Sequence, residues 1–121
     1  MGNFSEKQVQ AVWEKGTTVD NYDKTKYRKD VCGAWMQRDK YGLEETYGWE
    51  IDHVFPEAKG GDDELQNLRP MQWENNRSKD DNYPSYTAVK TSSDNKNIDK
   101  EEGKVVNDSL QAVLKKLYNL K

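Results

Sequence analysis

The sequence predicts a small single domain of the α+β class with a helix near each end, and three observations lead to this prediction. The chain has 121 residues, which suits one domain with a modest hydrophobic core. Amphipathic helical patterns lie near both ends, and a unit of strand, loop, strand and helix lies between them. We therefore expect one domain over residues 1–121, with a central unit at 47–84 and a C-terminal extension at 85–121.

The first helix is predicted over residues 4–15. Ser5 suits the N-cap, because Gln8 follows three residues later in the capping-box pattern. Apolar residues at helical spacing form a narrow stripe on one face: Val9, Val12 and Trp13. We expect this helix to dock on the core and to carry no chemistry.

Residues 16–29 are polar, and two tyrosines are interleaved there with four cations: Lys24, Lys26, Arg28 and Lys29. Two interpretations stay open at this point. The segment could contact a phosphate backbone, or it could be a solvated connector whose tyrosines cover the core. Residues 31–38 follow and are predicted to form a short strand with Trp35 buried.

The single cysteine, Cys32, bears on both redox chemistry and metal binding. It can form no intrachain disulfide, and we expect it to pack as a small apolar side chain. Without paired cysteines, no structural zinc is expected. No apolar run approaches the ~20 residues that span a bilayer, and the N-terminus lacks the apolar stretch of a secretory signal. A cytoplasmic location without membrane contact is therefore expected.

The central unit contains the only histidine, His53, directly after a carboxylate, Asp52. Its predicted elements are a strand at 47–52, a polar loop at 57–66 with a glycine-pair reversal, a strand at 67–71 and a helix at 73–81. Pro70 confines the second strand to an edge or a strand end. A hairpin followed by a helix could bring Asp52 and His53 close to Asn67 and to the Asn75–Asn76 pair.

The C-terminal extension is predicted to hold one more hairpin and a last helix. Residues 86–91 alternate weakly and suit a strand, 92–103 read as a polar loop, and 104–106 could pair back. Asn107 or Asp108 then caps a helix over residues 109–120, whose apolar side chains share one face.

The central residues resemble the HNH endonuclease family. The resemblance rests on IDHVFP after the first strand, GGDDELQNLRPM in the loop and second strand, and NNRSKDDNYP on the helix, with DVCGAWMQR as a lead-in. It implies a ββα-metal (His-Me finger) core of the asparagine-ended variant. The implied activity is endonucleolytic hydrolysis of phosphodiester bonds.

The resemblance also implies the roles of the site residues. His53 would be the general base, and a histidine suits this task because its unperturbed pKa of about 6.5 leaves it able to accept a proton near neutrality. Asp52 and Asn76 would hold one divalent ion, with Mg²⁺ preferred and Mn²⁺ as an alternative. The NRSK register selects Asn76 over Asn75. Asn67 would bridge the loop and orient His53.

Further residues are candidates for supporting the site and binding the substrate. Glu50 lies two residues before Asp52, on the same strand face, and is either an auxiliary group or a surface charge. Phosphate contacts are expected from three cations: Arg69, Arg77 and Lys79. The expected substrate is double-stranded DNA, bound weakly because the net charge is −3. RNA cleavage by the same site, or a non-catalytic module that binds nucleic acid or a partner, is the alternative. The chain is expected to act as a monomer or a homodimer.

Overall fold

A computed structural model describes residues 3–121 and shows a small α+β fold with three α-helices and three two-stranded antiparallel sheets. The helices are α1 (Glu6–Trp13), α2 (Trp73–Lys79) and α3 (Asp108–Leu117). The strands are β1 (Tyr27–Lys29), β2 (Trp35–Gln37), β3 (Trp49–His53), β4 (Leu68–Gln72), β5 (Ser85–Ser93) and β6 (Lys96–Val105). The α+β prediction with helices near both ends is confirmed at this level.

Helix α1 begins with the predicted capping box. The Ser5 hydroxyl accepts a hydrogen bond from the Gln8 backbone N–H, and the Gln8 side chain accepts one from the Ser5 N–H. Its apolar stripe packs into a cluster of buried side chains contributed by β2, β3 and β4: Met36, Trp49, Ile51 and Leu68. The stripe is narrow, so burial on one side is what holds this short helix in place.

Strand β1 lies in the segment for which no regular structure was predicted. It pairs with β2, so that Tyr27 lies opposite Gln37 and Lys29 opposite Trp35. Three residues are too few for an alternating pattern to be visible in the sequence. The hairpin turn is held by the buried carboxylate of Asp30, which accepts hydrogen bonds from the backbone of Cys32 and Ala34. Burial raises the pKa of Asp30 even though these bonds favour its ionised form.

Strands β3 and β4 form the hairpin predicted for the central unit, within two residues at each boundary. Asp52 lies opposite Arg69, and Glu50 lies opposite Met71. Strand β4 pairs only with β3, so the edge position expected for Pro70 is confirmed. Trp49 and Ile51 point into the cluster against α1. Because side chains alternate along a strand, Glu50 and Asp52 point to the opposite side.

The hairpin of β5 and β6 corrects the prediction of a polar loop over residues 92–103. Most of that range is strand, and the turn lies at Asp94 and Asn95. The side chains of β6 are largely charged and exposed, so no apolar alternation marks the strand in the sequence. Pairing of the backbone with β5, and not burial of β6 side chains, therefore defines this strand.

Helix α3 begins at the predicted cap, where the Asn107 side chain accepts a hydrogen bond from the Leu110 backbone N–H. It places Leu114 in the second core cluster beside Phe55 and Met71. Cys32 is buried in the same cluster, and burial raises the pKa of its thiol to about 12. The thiol is therefore protonated at neutral pH and is not a nucleophile. Among residues 3–121, no helix combines the length and apolar character that crossing a bilayer requires.

Candidate active site

A cavity of about 460 Å³ opens between β3 and α2. Five carboxylates line it: Glu50, Asp52, Glu57, Asp80 and Asp81. The remaining polar side chains around it belong to His53, Asn76 and Arg77, and the aromatic rings of Phe4 and Tyr41 complete the wall. Carboxylate and amide oxygens are the ligands that hard divalent cations prefer. The sequence-predicted residues Asp52, His53 and Asn76 are thus brought to one concave surface.

His53 ends strand β3 and stands at the lip of this cavity. Its side chain is only 12% exposed, and its Nε2 lies 2.7 Å from a carboxylate oxygen of Asp63. Its Nδ1 is 3.8 Å from a carboxylate oxygen of Glu57. A carboxylate only accepts hydrogen bonds, so Asp63 favours the neutral tautomer with its proton on Nε2. That tautomer leaves the lone pair of Nδ1 available to accept a proton.

Asn67 is fully buried, and it closes the loop that carries Asp63 without touching the imidazole. Its side-chain oxygen accepts a hydrogen bond from the Phe55 N–H at 2.7 Å. Its side-chain nitrogen donates to the backbone oxygens of Phe55 at 3.0 Å and Asp62 at 3.1 Å. Gly61 allows this closure, because a Cβ there would lie 1.8 Å from the Phe55 carbonyl oxygen. Asn67 therefore fixes the loop that carries Asp63.

Asp52 is buried beneath the cavity with two cations around its carboxylate. Arg69 Nε lies 2.9 Å from one oxygen, and Lys79 Nζ lies 3.2 Å from the other. The Lys79 ammonium also donates to the backbone oxygens of His53 and Val54, so each of its three protons has an acceptor. Burial lowers the pKa of Lys79, although the Asp52 charge acts in the opposite direction.

The positions of Arg69 and Lys79 correct the expectation that both contact phosphate. Lys79 is 0% exposed and Arg69 is 9% exposed, so neither side chain reaches a bound nucleic acid. A carboxylate in the interior needs compensating charge, and these two cations supply it. Arg77 differs from them. Its side chain is about half exposed, and it lies at the mouth of the cavity beside Glu44 and Glu50.

The two neighbouring asparagines of α2 face different surroundings. Asn76 lines the cavity, and its side-chain nitrogen donates to Glu50 at 2.9 Å. Within residues 3–121 its side-chain oxygen makes no hydrogen bond, which leaves that oxygen available as a ligand. Asn75 is fully buried and bonds to Asp30, to the backbone oxygen of Lys90 and to two backbone N–H groups of β5. Asn75 therefore joins α2 to β5 and does not reach the cavity.

Glu50 belongs to the cavity wall and not to the outer surface. It is 3% exposed, and its carboxylate contacts both Asn76 and Arg77. Together with Asp52 and Asn76 it forms an inner set of oxygen donors, which fits a divalent cation. A second group of possible ligands, His53, Glu57 and Asp63, has donor atoms within 4.8 Å of one another at the rim.

A comparison with protein families identifies the segment that contains this cavity. Residues 39–85 match a family model described as HNH endonuclease. This segment is similar to the HNH endonuclease family. The HNH match spans β3, β4 and α2 and includes every residue proposed for the site. HNH endonucleases cleave nucleic acid and typically use a divalent metal ion. No curated protein and no solved structure matches the chain.

Sequence reasoning missed two residues that contact His53 and one that contacts the neighbouring loop. Asp63 and Glu57 contact the imidazole, and the Tyr118 hydroxyl donates to Asp62 at 2.5 Å from beyond the end of α3. The acidic pair after the two glycines was a signal for Asp63, because a closed loop must bring its second half back towards its start. Nothing in the sequence near Tyr118 connects it with a loop 56 residues earlier.

Proposed function

We propose that this chain is a metal-dependent endonuclease that hydrolyses phosphodiester bonds in DNA, and that the cavity between β3 and α2 is its active site. In this proposal β3, β4 and α2 form the ββα-metal core of one domain over residues 1–121. The observation that carries the proposal is the contact between His53 and Asp63, which holds an imidazole at the lip of a cavity lined by oxygen donors. The HNH match over the same residues supports it.

His53 is the general base of the proposed reaction. Its Nδ1 accepts a proton from the attacking water as the new bond to phosphorus forms. The imidazole becomes positively charged in this step, and the Asp63 carboxylate on Nε2 stabilises that charge. Asn67 takes no part in the proton transfer. It closes the loop that sets the position of Asp63. Asp63 and Asn67 are therefore positioning residues.

The inner donors hold the metal ion in this proposal. Asp52 and Asn76 are its ligands and Glu50 is auxiliary, and Mg²⁺ is the ion that this all-oxygen set suits best. A bound divalent ion would stabilise negative charge on the phosphate and on the departing oxygen. Arg69 and Lys79 fix the orientation of the Asp52 carboxylate from behind. Asn76 is fixed by its bond to Glu50, which keeps its free oxygen towards the cavity.

The distribution of cations predicts weak binding to double-stranded DNA. Arg28, Arg69 and Lys79 are buried, and the remaining cations are outnumbered by carboxylates in a chain with a net charge of −3. Arg77 is the phosphate contact that the geometry favours, because its guanidinium lies exposed at the mouth of the cavity. Its bonds with Glu44 and Glu50 hold it there.

Nicking of supercoiled plasmid tests this function. We expect wild-type protein to nick plasmid with Mg²⁺ and to be inactive with EDTA. His53→Ala removes the base and should lower the rate by about 10²–10⁴-fold. Lys100→Ala, at an exposed residue of β6, is the matched control and should nick at the wild-type rate. Metal-independent nicking, or an equally active His53→Ala protein, would refute the proposal. A parallel reaction with structured RNA separates DNA cleavage from RNA cleavage.

A further inference from the structure

A second cavity, of about 270 Å³, is enclosed by aromatic side chains outside the HNH site. It is lined by Tyr22, Tyr27, Trp35, Tyr47 and Asn95. These residues come from the segment before β1, from the β1–β2 hairpin, from the loop before β3 and from the tip of the β5–β6 hairpin. We name it the aromatic pocket.

The aromatic pocket has a fixed floor and exposed walls. Trp35 is 4% exposed, and its indole N–H donates to the backbone oxygen of Asp94 at 2.7 Å. Tyr22 packs on it with ring centroids 4.6 Å apart and the planes tilted by 47°. Tyr22 and Tyr27 remain 40% and 37% exposed. Rings that only cover a core would leave less of their surface in water, whereas exposed rings around a cavity can receive another planar group.

The charge around the aromatic pocket favours an anionic ligand. The Lys29 ammonium lies 4.9 Å from the centroid of Trp35. Lys24, Lys26 and Lys29 form no ion pair within residues 3–121. The nearby Asp23 carboxylate is already bonded to the backbone N–H and hydroxyl of Thr25. Lys29 therefore places a positive charge against the floor of the aromatic pocket, and Lys24 and Lys26 lie in the chain segment between Tyr22 and Lys29.

We propose that the aromatic pocket binds an unpaired base of single-stranded nucleic acid, which rests on the proposed nuclease function. The base stacks on Tyr27 and Tyr22, and the flanking phosphates contact Lys24, Lys26 and Lys29. Bases in an intact duplex are already stacked on their neighbours, so the pocket selects frayed, gapped or overhanging strands. Tyr47 lies five residues before Asp52, or about 17 Å of extended chain. One strand can therefore reach both sites.

Binding of a fluorescein-labelled 12-nucleotide single strand to the full-length His53→Ala protein in EDTA tests the proposal. We expect Tyr27→Leu to weaken binding about tenfold, because leucine keeps apolar bulk but cannot stack on a base. Tyr27→Phe keeps the ring and should bind as the parent does. Val105→Ala, at an exposed apolar residue at the far end of the β5–β6 hairpin, controls for general surface effects. Equal affinity of the Leu and Phe variants, or equally effective competition by blunt duplex, would overturn the proposal.

The charge of the pocket is tested separately with Lys26→Glu and a matched Lys116→Glu variant on α3. Only Lys26→Glu should make the fall of log affinity with log salt concentration shallower, by about one unit of slope per lost phosphate contact. Identical slopes would overturn the assignment of the cations. Metal-dependent plasmid nicking by the wild-type protein reports on the HNH site. If the wild-type protein nicks plasmid but the Tyr27→Leu and Lys26→Glu variants bind the single strand as the parent does, the pocket assignment alone has failed.

Discussion

The two walls of the HNH cavity are built in opposite ways. The inner wall, on β3 and α2, holds Asp52 and Glu50 at 3% exposure, and Lys79 and Asn75 behind them are fully buried. The outer wall is the loop between β3 and β4, which places Glu57 against the cavity, and the carboxylates of this loop, Glu57, Asp62 and Asp63, are all exposed. Every buried charge of the inner wall has a partner, whereas the outer wall consists of carboxylates that water can reach.

This difference separates residues that support the fold from residues that adjust the reaction. Removing a partner from the inner wall leaves a charge or an amide buried without compensation, and that costs stability. Removing a carboxylate from the outer wall leaves a solvated position, so stability should change little. Four groups of substitutions test this contrast.

The largest effect on stability is expected from Lys79→Met. The methionine fills the volume of the lysine stem, but it leaves Asp52 with one cation and removes bonds to two backbone oxygens. We expect the free energy of unfolding to fall by about 3–5 kcal/mol in urea titrations. Lys116→Met, at an exposed site on α3, should stay within about 0.5 kcal/mol of wild type. A well-folded, equally stable Lys79→Met protein would mean that Asp52 does not need this cation.

The neighbouring asparagines should separate activity from stability. Asn76→Ala removes a proposed ligand, and we expect cleavage at low Mg²⁺ to fall about 100-fold with partial recovery at high Mg²⁺. Asn75→Ala should instead lower the free energy of unfolding by about 1–3 kcal/mol, because the buried groups that bond to Asn75 lose their hydrogen-bond partner. Cleavage rates and urea titrations of both variants test these assignments. An inactive Asn75→Ala protein beside a destabilised but active Asn76→Ala protein would exchange the two roles.

The same contrast explains how much the sequence could predict. Strands β3 and β4 and helix α2 were found because a β-branched and aromatic strand, a glycine pair and a proline mark their limits locally. Strand β6 was predicted only at its C-terminal end, near residue 104, because its other side chains are solvated and only their distant pairing with β5 reveals them. Lys79 was misassigned for a related reason. A lysine in a polar helix reads as exposed unless the buried carboxylate 27 residues earlier is known to face it.

Asp63→Asn addresses the outer wall. It keeps the size of the side chain but removes its charge, so we expect cleavage to slow by about 10–100-fold with unchanged stability. Asp63→Glu should restore part of the rate. The Mg²⁺ concentration for half-maximal activity should stay the same in both variants and in Glu57→Gln. A higher Mg²⁺ requirement would show instead that His53, Glu57 and Asp63 hold the ion, and His53 could then not be the base.

Tyr118→Phe should have the smallest effect and a characteristic pH dependence. Burial raises the pKa of Tyr118 to about 12, and the hydrogen bond to the Asp62 carboxylate acts in the same direction. The Tyr118 hydroxyl in turn lowers the pKa of Asp62. A raised tyrosine pKa contributes stability that is fully present below the unfolded value of about 10 and is lost as pH rises towards 12. A lowered carboxyl pKa contributes stability that is lost as pH falls through the folded value of Asp62.

The Tyr118→Phe variant should therefore melt slightly below wild type between about pH 5 and 9, and the difference in Tm should shrink above pH 10. A difference in Tm that stays constant up to pH 11 would mean that a changed ring position against Phe55, and not the hydrogen bond to the loop, causes the destabilisation.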